Sequence, residues 1–194
     1  FWVASSRQDL DRLRHELVFP LLVKPRLSHL FQRRFRGKFL EVREPDELAD
    51  ALAVVEQAGV SAILVEKIPG PDHELCSYYT YLDESGAPLF HFTKRIIRRQ
   101  PLNMGLACFH VTDHVEGIQA PALRLFRCVG LRGLANVEFK RDARDGELKL
   151  IECNARFTAA TRLVELAGLD LAALVYARLV GLPLPRLDGF RDGL

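Results

Sequence analysis

The sequence predicts an α+β protein of two lobes, a small α/β lobe followed by a lobe built on an antiparallel sheet. Within the first 67 residues, turn signals separate short helical and strand patterns that alternate along the chain. The segment "IPGPD" at 68–72 is a strong chain breaker and predicts a hinge. Beyond the hinge, two β-rich stretches each surround a polar turn, which is typical of antiparallel hairpins.

The small lobe is predicted over residues 1–67. Its predicted elements, in order, are a helix in 5–17, a strand in 18–24, a loop in 25–38, a strand in 39–42, a helix in 44–59 and a strand in 62–67. The first helix follows two serine caps and carries Leu10, Leu13 and Leu17 on one side. The second has Pro45 in its first turn and Gly59 as its C-cap.

The second lobe is predicted over residues 73–194. Its predicted elements are strands in 74–82 and 87–95 around "DESG", a helix near 119–129, strands in 134–142 and 147–155 around "ARDG", and two apolar helices near 160–180. Helices packed on such a sheet define the α+β class.

Composition narrows the function classes. A formal net charge of +2 gives no global reason to expect nucleic acid or an anionic membrane as a partner. The four cysteines are scattered without zinc-like spacing, which favours a reducing cytoplasm. No apolar run approaches the roughly 20 residues that span a bilayer. Residue 1 is Phe rather than Met, so we expect an upstream domain in the full-length protein.

Polar side chains share one face of the second predicted hairpin. Alternation along a strand puts Glu138 on one face of the first strand, and Glu152 and Asn154 together on the returning strand. Folding about residues 143–146 brings Glu138 opposite position 151 or 152, and a one-residue bulge would align the two carboxylates. Facing carboxylates repel unless a cation lies between them, and carboxylate and amide oxygens suit Mg²⁺. A magnesium site is therefore one interpretation.

The alternative is a solvated, salt-bridged sheet. In that interpretation Glu138 pairs with Lys140 or Arg141, and Glu152 pairs with Arg156. Charged exposed faces are common on antiparallel sheets, so the residues alone leave both interpretations open.

The ordered set of motifs resembles the ATP-grasp ligases. It consists of "LLVKP", a loop, "VEKIPG", and then "GLANVEFKRD" followed by "DGELKLIECNAR", and it extends from about residue 17 to 170. The chain most resembles the carboxylate-amine ligase branch, whose members bind ATP between two lobes and form an acyl phosphate. The resemblance implies a two-lobed ATP-grasp fold and an ADP-forming ligase that uses ATP with one or two Mg²⁺ ions, for which Mn²⁺ can substitute.

The resemblance also implies roles for individual residues. Lys24 matches the lysine that contacts the nucleotide phosphates, and Lys38 ends the loop expected to cover them. Adenine is expected to bind Glu66, Lys67 and Ile68, largely through backbone groups, and the ribose hydroxyls to bind Glu74. The magnesium ligands match Glu138, Glu152 and Asn154. The cations expected near the transferred phosphoryl and carboxylate groups are Arg156 with Arg95 or Arg98.

The loop 25–38 departs from the family pattern. Many relatives have a loop rich in Gly and Ser, because backbone N–H groups close over the phosphates. Here Gly37 is the single glycine, and the cations are Arg26, Arg33, Arg34, Arg36 and Lys38. Side-chain charge replacing backbone donors on the triphosphate is one interpretation. A polyanionic partner, including nucleic acid bound through residues 26–38, and a decayed nucleotide role are the others.

The resemblance therefore implies a ligase with a small carboxylate and a small amine as substrates. A non-catalytic ATP-binding regulatory or accessory module is the alternative function, and a nucleic-acid-binding domain is the weaker one. We expect no membrane partner, while a homodimer stays open.

Overall fold

The computed structural model describes residues 1–3, 9, 12–13, 15–27, 29, 31, 33, 35, 39–59, 61–103 and 105–194. The chain divides into two compact units, Phe1–Lys67 and Ile68–Leu194. The α+β fold class with two lobes is confirmed. In the described part of the chain, no helix has the length and apolar character that crossing a membrane requires.

The first unit is a three-stranded antiparallel sheet with a helix. Its elements are β1 (Leu21–Pro25), β2 (Leu40–Val42), α1 (Pro45–Gln57) and β3 (Ala62–Glu66), and the strand order is β2-β1-β3. The apolar face of α1 buries Leu48 and Val55 in the core of this unit. Leu13 joins the same core, whereas most of the predicted first helix, with Leu10, lies outside the described residues.

Two predicted boundaries in this unit shift. β1 begins at Leu21 rather than Val18, because Pro20 has no N–H to donate to a neighbouring strand. The helix α1 ends at Gln57 with Ala58 as its C-cap, and Gly59 follows with φ +65°. Gly59 therefore supplies the left-handed residue just beyond the cap.

The second unit is a five-stranded, fully antiparallel sheet. Its strands are β4 (Leu75–Leu82), β5 (Phe92–Gln100), β6 (Leu106–Thr112), β7 (Gly133–Arg141) and β8 (Leu148–Asn154), in the order β6-β5-β4-β7-β8. A 3₁₀ helix, Asp72–Glu74, leads into β4. The helices are α2 (Gln119–Cys128), α3 (Thr161–Leu166) and α4 (Leu171–Val180).

Both faces of this sheet carry packed helices. On one face Phe126 of α2 packs with Tyr78, Val137 and Phe139. On the other, residues of α3 and α4 pack around Tyr79 and Phe92 at one end of the strands. The rest of that second face bears the polar residues considered below.

Two strand predictions for this unit need correction. β5 begins at Phe92 rather than Ala87, because the turn is longer than "DESG" and is built on Asp83, which accepts hydrogen bonds from the N–H groups of Ser85 and Ala87. β6 was not predicted. It is an edge strand, and several of its apolar side chains are exposed, among them Leu106 and Phe109. Its sequence therefore lacks the alternation that marks a half-buried strand.

Candidate metal and nucleotide site

Two carboxylates face each other across the hairpin of β7 and β8. Glu138 is paired directly with Glu152, and Asn136 is paired with Asn154. Ile151 is the extra residue of a β-bulge that shifts the register beyond this pair. The register that the sequence left open by one residue therefore aligns the two carboxylates on one face.

The polar row continues across the sheet beyond Glu138. Ser77 on β4 is the partner of Glu138, Lys94 on β5 is the partner of Ser77, and Thr112 on β6 is the partner of Lys94. Directly paired residues on neighbouring strands point to the same face. A lysine and two carboxylates consequently share one surface, with a serine between them.

Lys94 is almost completely buried, with 1% of its surface exposed. Burial lowers the pKa of Lys94 to about 8, and the charge of Glu138 partly offsets that effect. The Lys94 Nζ lies 3.1 Å from Nδ1 of His110. Burial and the Lys94 charge lower the pKa of His110 to about 4, so that at neutral pH the imidazole is uncharged and its Nδ1 accepts from the ammonium.

Glu138 lies in an environment that disfavours its charge. Burial raises the pKa of Glu138, Lys94 lowers it, and the facing Glu152 raises it further. Ser77 lies close enough to lower this pKa, yet its buried hydroxyl has no hydrogen-bond partner of normal geometry among the described residues. A buried hydroxyl without a partner points to a group that binds there.

The salt-bridged alternative finds little support. Within the described residues, neither Glu138 nor Glu152 takes part in a salt bridge. Arg141 lies 3.9 Å from Glu74 and donates to the carbonyl of Gly146. Arg156 donates to the carbonyl of Phe157. The described arginines proposed as partners therefore bond elsewhere.

Asn154 is oriented by its neighbours on the same face. Its Nδ2 donates to Oε1 of Glu152 at 2.9 Å and to Oδ1 of Asn136 at 3.4 Å. Asn136 is fully buried, and its own Nδ2 donates to the carbonyl of Tyr78. The nitrogen of the Asn154 amide is thus engaged in hydrogen bonds. The carbonyl oxygen of that amide is the atom that can coordinate a cation.

These oxygen donors fit a hard divalent cation. Among the described residues no group of three or more His, Cys, Asp or Glu side chains could hold a metal by itself. Mg²⁺ needs fewer, because water and nucleotide phosphates usually complete its octahedron. Glu138, Glu152 and the Asn154 carbonyl are the residues that would hold it, and their charge and chemistry suit it.

The arginines predicted beside this site lie in different surroundings. Arg95 is on the opposite face of β5 from Lys94 and forms an ion pair with Asp113. Arg98 follows a register shift in β5 and is paired with Phe109. Arg156 is exposed two residues beyond Asn154. The structure does not bring Arg95 together with the two carboxylates.

The predicted nucleotide residues of the first unit lie at strand ends. Lys24 is the fourth residue of β1, and Glu66 ends β3. Lys67 follows, and its Nζ donates to Glu41 at 2.7 Å, which lowers the pKa of that carboxyl. Lys38 lies outside the described residues.

Two further predicted residues belong to the second unit. The carbonyl of Ile68 accepts a hydrogen bond from Lys140. Glu74 is the last residue of the 3₁₀ helix, with its carboxylate 3.9 Å from Nε of Arg141 and from Nε2 of His73.

Sequence reasoning missed Lys94 and Arg99 as individual residues. Phe92, Lys94 and Ile96 occupy alternate positions along β5, and all three are buried. A lysine at a position where alternation predicts a buried apolar residue was therefore the sequence signal for Lys94. Arg99 bonds the buried Asp72 through Nε at 2.7 Å, and its charge helps to lower the pKa of Glu138.

This chain is similar to known proteins in sequence and in fold. The model of the family described as "Carbamoyl-phosphate synthase L chain, ATP binding domain" matches residues 109–187. The D-aspartate ligase of Enterococcus faecium is 31% identical over 172 residues, which are 81% of this chain and 39% of that protein.

Two solved structures share the fold. Biotin carboxylase from Campylobacter jejuni, in a complex with β,γ-ATP, gives a TM-score of 0.74 at 14% identity and covers 98% of this chain and 43% of its own. The second is the biotin carboxylase domain dimer of the 2-oxoglutarate carboxylase of Hydrogenobacter thermophilus, which was solved with MgADP, ADP and bicarbonate. Its TM-score is 0.69 at 18% identity, and the match covers 98% of this chain and 43% of that chain.

The family match and the similarity to D-aspartate ligase support assignment of the chain to the ATP-grasp superfamily. Within that superfamily it resembles the carboxylate-amine ligases. It spans less than half the length of each of these three proteins.

Proposed function

We propose that this chain is the ATP-binding part of an ADP-forming ligase that joins a carboxylate to an amine through an acyl phosphate. The observation that carries the proposal is the direct pairing of Glu138 with Glu152, beside an Asn154 amide whose nitrogen is already engaged. This arrangement suits the charge of Mg²⁺-bound nucleotide phosphates.

The bound ion would screen the phosphate charge and polarise the γ-phosphoryl group. Glu138, Glu152 and Asn154 would hold it on the sheet. Lys94 supplies a buried positive charge on the same face, and the neutral His110 holds that ammonium in place. We assign to Lys94 the role that the resemblance implied for Arg95, because Lys94 and not Arg95 shares the face of the carboxylates.

The proposed reaction has two steps, both of which involve negatively charged groups. A substrate carboxylate oxygen attacks the γ-phosphorus, ADP leaves, and an acyl phosphate forms. The amine attacks the acyl carbon, phosphate leaves, and the amine loses its proton, which gives an amide. Lys24, Lys94 and Arg156 are proposed to neutralise charge on the phosphoryl and carboxylate groups. Catalysis of this kind rests on positioning and electrostatics.

ADP formation tests the proposal. The chain is incubated with Mg²⁺ and ATP and with a panel of amino acids as acids and amines, in which D-aspartate comes first because of the similarity to D-aspartate ligase. We expect ADP release that needs both an acid and an amine. Magnesium-dependent ATP binding without such release would instead support the non-catalytic nucleotide-binding module.

A further inference from the structure

A single lysine holds the carbonyl groups of the irregular segment at the start of the second unit. Lys140 on β7 is buried, with 6% of its surface exposed. Its Nζ donates to the carbonyl of Ile68 at 3.0 Å and to the carbonyl of Gly70 at 2.5 Å. Both carbonyls lie outside helices and strands, so the ammonium takes the place of a regular backbone partner.

The local backbone is shaped for this contact. Pro69 fixes one φ between the two carbonyls, and Gly70 has φ +113°, where a residue with a Cβ would be strained. Two residues on, the buried carboxylate of Asp72 accepts from Nε of Arg99 at 2.7 Å and from the N–H of Asn103 at 3.2 Å. Segment 68–72 is therefore anchored at both ends.

A buried ammonium is costly unless it is well solvated by the protein. Here the backbone carbonyls of Ile68 and Gly70 contribute to that compensation. No hydrogen bond from the Ile68 N–H occurs among the residues that the structure describes. The lysine thus fixes the carbonyl side of Ile68 while the N–H side is left to meet a ligand.

We propose that Lys140 is a positioning residue for nucleotide base recognition, which holds the Ile68–Gly70 backbone in the conformation that binds adenine. This proposal rests on the proposed function, because it takes Ile68 as part of the base site. Lys140 does not touch the phosphates in this assignment, so its loss acts on the base and not on the metal or the triphosphate.

The test compares ATP with inorganic tripolyphosphate, which has no base. In Lys140→Met the apolar stem stays and the ammonium is removed. We expect ATP and ADP to bind about tenfold more weakly with Mg²⁺ present, the scale of losing a hydrogen bond from a charged donor, while tripolyphosphate affinity is unchanged. The matched control is Lys149→Met on the same hairpin, where the ammonium pairs with Asp145 on the surface.

Lys140→Arg provides a second variant that keeps the charge. Its planar guanidinium cannot place one nitrogen between both carbonyls, so we expect a severalfold loss of ATP affinity relative to tripolyphosphate. An unchanged ratio of ATP to tripolyphosphate affinity in the folded variants would overturn the role of Lys140. Failure of the unaltered chain to bind ATP at all would instead overturn the proposed function.

Discussion

The Glu138–Glu152 pair should make the protein less stable without metal and more stable with it. Like charges placed directly opposite on an antiparallel pair cost up to about 1 kcal/mol. Glu152→Gln removes that repulsion and keeps an Oε1 atom to accept from Asn154 Nδ2, which donates at 2.9 Å. The main effect of the variant is therefore the lost charge.

The size of the effect differs between the two conditions. In EDTA we expect Glu152→Gln to raise Tm by about 3 °C, since about 1 kcal/mol corresponds to that shift in a chain of this length. With Mg²⁺ and ADP at about 100 times their dissociation constant, the unaltered chain gains about 2.7 kcal/mol. The variant should lose most of that gain, so the order of the two Tm values reverses.

Thermal unfolding followed by circular dichroism, with EDTA and with Mg²⁺ plus ADP, measures both shifts. Glu147→Gln is the control, because Glu147 is an exposed carboxylate in the turn of the same hairpin. It should change neither result. A Glu152→Gln protein that melts earlier in EDTA and is stabilised by Mg²⁺ and ADP as much as the unaltered chain would refute the reasoning.

Two further predictions concern stability. The pKa of Lys94 falls from 10.5 to about 8 on folding, so the unfolded chain binds more protons between those values and the free energy of unfolding should rise there by about 3 kcal/mol. Urea unfolding at about pH 8 and about pH 10.5 measures this rise, which Lys94→Met should lack. An equal rise in the free energy of unfolding in both proteins would contradict the prediction. A Cβ on Gly105 would lie 1.8 Å from the Gln100 carbonyl oxygen, so Gly105→Ala should cost more than about 3 kcal/mol. In Gly117→Ala the added Cβ meets open space at φ +76°, so this control should lose only about 1 kcal/mol of stability. Equal losses of Tm in the two variants would count against the close approach of Gly105 to the Gln100 carbonyl.

Local signals predicted most of the secondary structure correctly. Pro45 and Gly59 marked the helix α1, and the turn "ARDG" marked the hairpin of β7 and β8. Such signals act within a few residues, so the sequence contains them in full. The strand β6 was missed because it packs at an edge and leaves apolar side chains exposed, so its burial pattern is not alternating.

The sequence predicted only those residues of the candidate site that lie on a single hairpin. Alternation and the turn placed Glu138 opposite position 151 or 152, but the bulge at Ile151 that accompanies the pairing with Glu152 depends on how the sheet twists and packs. Lys94 reaches the same face through β4, across a turn whose length was misjudged. A cation that is distant in sequence, such as Lys94, is therefore found only once the strand order is known.

The central claim is that Glu138, Glu152 and Asn154 bind a divalent cation together with a nucleotide. Anomalous diffraction from crystals grown with Mn²⁺ and ADP tests it most directly, since the anomalous signal of Mn²⁺ locates the ion by itself. We predict an anomalous peak bonded to oxygens of both carboxylates and of the Asn154 amide, with a phosphate oxygen of ADP completing the set. A peak bonded to ADP alone, or to other residues of the chain, would contradict the claim.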